Sequence, residues 1–255
     1  MAEFESDGLS LFYIDVKPEA GDRNEPILLV HGFASNHAVN WVNTLWVKTL
    51  TEAGRRVIAL DNRGHGASAK PHRPEDYETA RMARDAQNLL DHLDIHRADV
   101  MGYSMGARIT AVLARSEPGR VRAAILGGLG IHLVDGAGLP QSIADALEAP
   151  SLEDVTEPTP RMFRRFAEAN KSDLQALAAC IRGSRQNLSP EDVAEIRCPT
   201  LVAVGSKDPI AGDPHALAAL LPAGRALDIP GRDHNLAVGD KIYKAGVLAF
   251  LDERA

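Results

Sequence analysis

Short runs of apolar residues alternate along the chain with longer segments in which apolar residues recur every three or four positions. The run ILLV at residues 27–30 has no polar position, which is typical of a strand buried on both faces of a sheet. In residues 78–93 the apolar positions fall instead on one face of a helix. The pattern predicts strands at 9–16, 27–30, 56–60, 100–101, 121–126, 200–205 and 225–229, and helices at 44–53, 78–93, 107–113, 213–221 and 241–251.

The alternation of strands with helices predicts a mostly parallel sheet that is covered by helices on both faces. In sheets of this kind, ligands bind beyond the carboxyl ends of the strands. Polar clusters follow the predicted strands at that edge, at residues 31–33, 61–66, 104, 208 and 234. The sequence therefore places a candidate site at one rim of an α/β domain.

Residues 131–197 interrupt this alternation, because they carry helix-like runs and no clear strand pattern. Ser189 followed by Pro190 is typical of a helix start, since serine can cap free N–H groups and proline fits the first helical position. We predict a helical insertion here. Its apolar residues, which could form either its own core or a pocket wall, include Leu133, Leu139, Met162, Phe163 and Phe166.

The pentapeptide Gly102-Tyr103-Ser104-Met105-Gly106 joins a predicted strand to a predicted helix. Such a G-x-S-x-G pattern also occurs in ordinary loops, but the flanking strand and helix favour a sharp turn with a strained serine at its tip. The turn lifts the hydroxyl of Ser104 above the sheet edge, beside the free N–H groups of a helix N-terminus. Ser104 is therefore the candidate nucleophile.

An alcohol is a weak nucleophile at neutral pH, so Ser104 needs a general base and the base needs an orienting acid. Of the nine histidines, His234 lies in a predicted loop after the penultimate element, where it can reach the sheet edge. Asp208 follows a predicted strand and lies in a tight turn before a proline. Asp135 and Asp233 are alternatives for the acid, although the side chains of neighbours in sequence, such as Asp233 and His234, point apart. We favour Asp208.

A tetrahedral intermediate of acyl transfer needs hydrogen-bond donors for its oxyanion. The backbone N–H of Met105 directly follows the candidate nucleophile, and that of Phe33 belongs to the turn His31-Gly32-Phe33 after a neighbouring predicted strand. We predict that these two groups form an oxyanion hole. We also predict that His31 is a buried structural residue and that the loop at 61–66 supports the turn.

The composition narrows the range of partners and cofactors. The 255 residues are 45% hydrophobic and 25% charged, with a formal net charge of −7 and no dense cluster of Lys or Arg. Nucleic acid and membranes are therefore not expected as partners, and no run approaches the roughly 20 apolar residues of a membrane span.

The acidic start lacks the apolar core of a secretory signal, and Cys180 and Cys198 form no disulfide framework. We expect a cytoplasmic protein with neither metal nor cofactor, because no Cys-x-x-Cys, P-loop or G-x-G-x-x-G motif occurs.

Together these motifs resemble those of the α/β-hydrolase fold superfamily, in the branch of small serine esterases and lactonases. The turn at 31–33, the loop at 61–66, the pentapeptide around Ser104 and the segments 205–209 and 231–234 carry the resemblance, in the order nucleophile, acid, histidine. The resemblance implies an eight-stranded, mostly parallel sheet with a small helical cap. It also implies a single domain over residues 1–255, with a core at about 1–130 and 198–255 and the cap at about 131–197.

The resemblance implies a serine hydrolase that cleaves a small-molecule carboxylic ester through an acyl-enzyme intermediate. Dehalogenases and epoxide hydrolases of this fold carry aspartate at the nucleophile position, so Ser104 disfavours those activities. An enol-lactonase, a C–C bond hydrolase or a haloperoxidase-like enzyme would use the same three side chains. A non-catalytic ligand-binding protein of this fold would be favoured by the loss of one of them.

Overall fold

Eight strands form one sheet in a computed structural model that describes residues 2–136 and 139–253. The strands are β1 (Ala2–Ser6), β2 (Leu9–Val16), β3 (Ile27–Val30), β4 (Val57–Leu60), β5 (Ala98–Tyr103), β6 (Val121–Gly127), β7 (Thr200–Gly205) and β8 (Gly224–Ile229). They lie in the order β1-β2-β4-β3-β5-β6-β7-β8. β2 is antiparallel to both of its neighbours, and the strands from β4 to β8 are parallel. This sheet confirms the predicted α/β-hydrolase fold.

Helices cover both faces of the sheet and form the segment between β6 and β7. The helices are α1 (Trp46–Glu52), α2 (Thr79–His92), α3 (Met105–Ser116), α4 (Ser142–Glu148), α5 (Pro158–Ala169), α6 (Leu174–Gly183), α7 (Pro190–Ala194), α8 (Pro214–Leu220), α9 (His234–Ala237) and α10 (Lys241–Glu253). Shorter helical turns lie at Ala38–Val42, Pro74–Tyr77, Ile131–Leu133 and Leu152–Asp154.

Alternate residues of each parallel strand enter two separate hydrophobic cores. In β3, for example, Leu28 and Val30 pack into one core and Ile27 and Leu29 into the other. The first core is closed by α2, α3, α8 and the helices between β6 and β7, and the second by α1 and α10. Burial on both faces explains why these strands read as continuous apolar runs.

The helices α4 to α7 lie where the sequence predicts a helical insertion. The ring of Phe163 in α5 lies 5.9 Å from that of Phe33, so this segment reaches over the carboxyl edge of the sheet. Ser189 caps α7 through the N–H of Asp192, as its sequence predicts. Residues 137 and 138 of the predicted insertion, and residues 1, 254 and 255 of the predicted domain, lie outside the described residues.

The first strand and the first helix differ from the sequence-based prediction. β1 is an additional strand that pairs with β2 through a hairpin, in which Asp7 and Gly8 have φ values of 51° and 77°. Asp-Gly is a typical sequence for the turn of a hairpin, so the signal is present in the chain. The helix predicted at 44–53 begins only at Trp46, because Leu45 has a left-handed backbone with φ of 67°.

Candidate active site

Ser104 lies at the tip of a sharp turn between the end of β5 and the start of α3. Its φ of 55° is in the left-handed region, which costs a non-glycine residue about 1–3 kcal/mol. The glycines on either side make room for the turn. A Cβ atom on Gly102 would lie 2.0 Å from the carbonyl oxygen of Gly106, and one on Gly106 would lie 2.0 Å from that of Val30.

The structure brings the predicted nucleophile, base and acid into one hydrogen-bonded chain. His234 Nδ1 lies 2.7 Å from Asp208 Oδ2, and His234 Nε2 lies 3.0 Å from Ser104 Oγ. Because a carboxylate only accepts hydrogen bonds, Nδ1 carries the proton and Nε2 accepts from the serine hydroxyl. The second oxygen of Asp208 accepts from the backbone N–H groups of Ile210 and Ala211, at 2.8 and 3.2 Å, which fixes the carboxylate.

The prediction of a loop at His234 is wrong in detail, because His234 is the first residue of the short helix α9. Asp233 caps this helix and accepts from the N–H groups of Asn235 and Leu236 at 3.0 and 2.8 Å. Its carboxylate is therefore engaged in the helix cap, while Asp208 is the carboxylate that accepts from His234. The other alternative, Asp135, is exposed.

The backbone N–H groups of Phe33 and Met105 remain available to a ligand. Met105 is the first residue of α3, so its N–H has no partner within the helix. No acceptor among the described residues pairs with either N–H group. Gly32 allows the Phe33 turn to approach the nucleophile, since a Cβ atom there would lie 3.2 Å from the Tyr103 carbonyl oxygen. Both residues line the same cleft as Ser104.

Buried polar side chains hold the Phe33 turn from behind. His31 is fully buried, and its Nε2 accepts from the N–H of Asn62, while the Asn62 side chain donates to the His31 carbonyl, both at 3.0 Å. Burial lowers the pKa of His31, so its ring is neutral at neutral pH. Asp61 accepts from the backbone N–H and the ring of His37, at 2.7 and 2.8 Å. Through the contacts of Asn62 with His31, the loop at 61–66 supports the turn at 31–33, as the sequence predicts.

Two residues that position the site carry no readable signal in the sequence. The side chain of Asn40 accepts from the N–H of Gly32 at 2.8 Å and so orients the turn that contains Phe33. The hydroxyl of Tyr103 donates to the backbone carbonyl of His234 at 2.6 Å. Asn40 lies in a polar stretch for which no helix or strand is predicted, and Tyr103 occupies a variable position of the G-x-S-x-G pattern. Their roles depend on contacts between distant parts of the chain.

Two clefts open beside Ser104. The larger has a volume of about 380 Å³ and mainly apolar walls. The smaller has a volume of about 70 Å³ and includes two arginine side chains. Of the five apolar residues singled out in the sequence, four line a cleft and Leu133 is fully buried in the core. Leu139 lines the smaller cleft, and the larger is lined by Met162, Phe163 and Phe166.

The described residues contain no group of three or more His, Cys, Asp or Glu side chains that could hold a metal ion. Cys180 and Cys198 are buried and unpaired, and burial raises the pKa of the Cys180 thiol to about 12. No helix in the described part of the chain is long and apolar enough to cross a membrane.

The chain has the α/β-hydrolase fold, and its motifs resemble those of that superfamily. A family model for the alpha/beta hydrolase fold matches residues 25–141. The crystal structure of a hydrolase from Pseudomonas aeruginosa PA01 is similar over 98% of this chain and 97% of that one, with a TM-score of 0.75 and 28% sequence identity.

Two named relatives catalyse different reactions. The chain is 32% identical, over 249 residues and 91% of its length, to the dihydrolipoyllysine-residue acetyltransferase component of the acetoin cleaving system of Pseudomonas putida, and it spans 64% of that protein's length. It is 27% identical over 278 residues to a non-heme chloroperoxidase of Kitasatospora aureofaciens, with 97% of this chain and 98% of that protein covered. The names of these relatives therefore do not indicate one shared reaction.

Proposed function

We propose that the protein is a serine hydrolase that cleaves carboxylic esters through an acyl-enzyme intermediate. The observation that carries this proposal is the hydrogen-bonded chain from Asp208 through His234 to Ser104, with distances of 2.7 and 3.0 Å. The free N–H groups of Phe33 and Met105 beside Ser104 supply the second requirement of acyl transfer, which is a site for an oxyanion.

In the first half of the reaction, Ser104 Oγ attacks the ester carbonyl while His234 Nε2 takes the hydroxyl proton. The carbonyl oxygen becomes an oxyanion, and the N–H groups of Phe33 and Met105 donate to it. Asp208 keeps the proton of the imidazole on Nδ1 and stabilises the imidazolium that forms. When the tetrahedral intermediate collapses, His234 protonates the leaving alcohol and the acyl group remains on Ser104.

In the second half, a water molecule replaces the alcohol and attacks the acyl-enzyme. His234 takes a proton from this water, and the same two N–H groups stabilise the second oxyanion. Collapse of this intermediate releases the carboxylic acid and returns the proton to Ser104. The burial of His234, which is 8% exposed, limits the access of other water molecules to the base.

The chemistry of a serine nucleophile also argues against epoxide hydrolysis. Attack of Ser104 on an epoxide would give an ether, which has no carbonyl group for water to attack, so the enzyme would not be regenerated. Lactones, and compounds with a cleavable C–C bond next to a carbonyl group, would react through the same kind of acyl-enzyme as esters. They are therefore alternative substrates for the same three side chains.

A second candidate function is perhydrolysis, in which hydrogen peroxide instead of water attacks the acyl-enzyme and releases a peroxycarboxylic acid. The similarity to a chloroperoxidase along nearly the whole of both chains favours this candidate. Formation of peracid from an ester and hydrogen peroxide, measured beside ester hydrolysis on one sample, separates the two reactions.

Labelling with a fluorophosphonate probe, followed by peptide mapping, tests the nucleophile. We expect the label on Ser104 and a decrease of kcat by about 10⁴-fold or more in Ser104→Ala, because serine and histidine act as one unit. Circular dichroism establishes that the variant is folded. A folded Ser104→Ala variant with near wild-type esterase activity contradicts the proposal. A chain that neither accepts the label nor turns over esters, lactones or C–C substrates would instead be a binding protein.

A further inference from the structure

The smaller cleft beside Ser104 carries positive charge. Its charged lining residues are Arg108 and Arg185, and no Asp or Glu side chain lines it among the described residues. No Asp, Glu, Lys or Arg is among the residues that line the larger cleft in the described part of the chain. The two clefts beside Ser104 therefore differ in charge as well as in volume.

Arg108 differs from the other buried arginines of the described residues. Arg55, Arg63 and Arg164 each lie within salt-bridge distance of a carboxylate, at 3.1 Å from Asp99, 2.6 Å from Asp85 and 2.7 Å from Glu168. Arg108, which is 8% exposed, forms no salt bridge with a described residue. Burying an arginine without a carboxylate is costly, so its uncompensated charge requires an explanation.

Neutral acceptors hold the guanidinium of Arg108 without cancelling its charge. Its Nη1 donates to the carbonyl oxygen of Gln186 at 2.8 Å, to the side-chain oxygen of Asn187 at 3.1 Å and to the carbonyl oxygen of Leu133 at 3.3 Å, and its Nη2 donates to that of His132 at 3.0 Å. Burial and the neighbouring Arg185 lower the pKa of Arg108 to about 10, so it is still charged at neutral pH. The Nε–H has no partner among the described residues.

Arg108 lines the same cleft as the candidate nucleophile Ser104. Arg108 is four residues after Ser104, which lies directly before the first residue of α3, so the two residues are separated by about one helical turn. Arg185 follows α6, lines the same cleft and donates from Nη1 to the Leu139 carbonyl at 2.7 Å. A group bound between these side chains would be joined to the ester carbonyl by a short chain.

We propose that the smaller cleft binds a carboxylate group of the substrate, and that Arg108 and Arg185 determine this specificity. The substrate class is then an ester, or a chemically equivalent acyl compound, with a carboxylate on one side of the scissile bond and an apolar group on the other. The apolar group occupies the larger cleft, against Met162, Phe163 and Phe166. The inference rests on the proposed function of Ser104.

The size of the cleft limits the length of the acidic group. A volume of about 70 Å³ is several times the roughly 10–15 Å³ that one water molecule needs, and it is much smaller than the larger cleft. It suits a carboxylate on one or two methylene groups. Guanidinium groups pair with carboxylates through directed, charge-assisted hydrogen bonds, which gives the cleft its selectivity for an acid over a neutral group of the same shape.

Two pairs of esters test the proposal on either side of the scissile bond. Benzyl hydrogen succinate is compared with benzyl levulinate, in which a methyl ketone replaces the carboxylate of the acyl part. 3-(Butanoyloxy)propanoate is compared with 4-(butanoyloxy)butan-2-one, which makes the same replacement in the alcohol part. We expect kcat/KM to be about tenfold or more higher for the acid in one of the two pairs. Equal kcat/KM for acid and ketone in both pairs, or a higher value for the ketone, overturns the proposal.

Variants of the two arginines show whether these side chains cause the preference. In Arg185→Gln and in Arg108→Gln, we expect the ratio of kcat/KM for the acid to kcat/KM for the ketone to fall toward one. Arg108→Lys keeps the positive charge, so we expect it to retain part of the preference for the acid. If Arg108→Gln does not fold, Arg185→Gln still decides the outcome. The matched control is Arg182→Gln in α6, since Arg182 lies in another cleft and pairs with Glu148. An equal fall of the ratio in this control would mean that general surface charge is responsible, and would overturn the proposal.

A binding measurement separates failure of this inference from failure of the proposed function. Titration calorimetry of folded Ser104→Ala with the favoured acid and its ketone requires no turnover. We expect the acid to bind about tenfold or more tightly, and the difference to disappear when Arg185→Gln is added. Equal binding overturns the anion subsite even if the wild-type protein is an esterase. Tighter binding of the acid without turnover by the wild type would retain the subsite and reject the esterase.

Discussion

The hydroxyl of Tyr103 donates a 2.6 Å hydrogen bond to the backbone carbonyl of His234. Tyr103 is the residue before the candidate nucleophile, and His234 carries the candidate base. The bond therefore joins the turn that positions Ser104 to the helix that positions the imidazole. The ring of Tyr103 lies 5.5 Å from that of His234, between centroids, which further restricts the position of the base.

Tyr103→Phe removes this bond and leaves the His234 carbonyl without its donor. We expect a decrease of about tenfold in kcat with little change in KM, because the base moves and the clefts do not, and a loss of about 1–2 kcal/mol in unfolding free energy. Steady-state kinetics and urea unfolding measure the two effects.

The matched control for this change is Tyr243→Phe. Tyr243 is also fully buried and packs in the same core, but its hydroxyl has no hydrogen-bond partner among the described residues. We expect this variant to be as stable as the wild type or more stable, since it removes a buried polar group that makes no bond. Equal kinetics of the two variants would show that the Tyr103 hydroxyl does not position His234.

Gly106→Ala tests the close packing behind the nucleophile turn. The added methyl group would lie 2.0 Å from the carbonyl oxygen of Val30, which belongs to a central strand and cannot move freely. We expect a loss of about 3 kcal/mol in unfolding free energy, together with a large loss of activity. Gly119→Ala is the control, because a Cβ atom there meets nothing within 4 Å. Comparable stability of both variants in urea would disprove this account of the turn.

Asn40→Ala tests how the Phe33 turn is oriented. Without the Asn40 side chain, the N–H of Gly32 loses its 2.8 Å bond and the next N–H, that of Phe33, is less well fixed. We expect kcat/KM to fall about 10–100-fold, which is at most the effect of losing an oxyanion donor completely. Asn36→Ala removes a bond of the same loop, from the N–H of Val39 at 2.9 Å, without touching Gly32. If Asn36→Ala lowers activity as much, the effect belongs to the loop as a whole.

Because two histidines behind the site are buried, we expect the free energy of unfolding to decrease on mild acidification. Burial lowers the pKa of His65 from 6.5 to about 3, and burial also lowers the pKa of His31. Both rings are therefore neutral in the folded state, while the unfolded chain takes up protons below pH 6.5. The stabilisation is complete above that pH and is lost as the pH falls toward the folded-state values.

Between pH 7.5 and 5.5 we expect His65 alone to account for a loss of about 1.4 kcal/mol in unfolding free energy. This pH range lies above the pKa of Asp61. Burial alone would raise that pKa, but the hydrogen bonds from His37 lower it below its usual value. Urea unfolding at the two pH values is compared for wild type, His65→Gln and the control His96→Gln, which changes an exposed histidine. A pH dependence that is identical in wild type and His65→Gln would be incompatible with a neutral, buried His65.

Local patterns in the sequence determined the elements and the chemical types of the candidate residues. The apolar runs of β3 and β4, the glycines around Ser104 and the cap of α7 by Ser189 can each be read within a few residues, because each depends on neighbours in the chain. The Asp7-Gly8 sequence of the hairpin turn is an equally local signal, and it indicates β1, which the pattern of apolar residues does not.

The tertiary structure alone decided which side chains meet. Three aspartates were compatible with the sequence as partners of His234, and only the strand order places Asp208 at 2.7 Å from its ring. The same holds for Asn40 beside Gly32 and for Arg108, whose lack of a carboxylate partner depends on segments 24 to 79 residues away in the chain. Sequence fixes what each short segment prefers, but contacts across the sheet depend on the free energy of the whole packed chain.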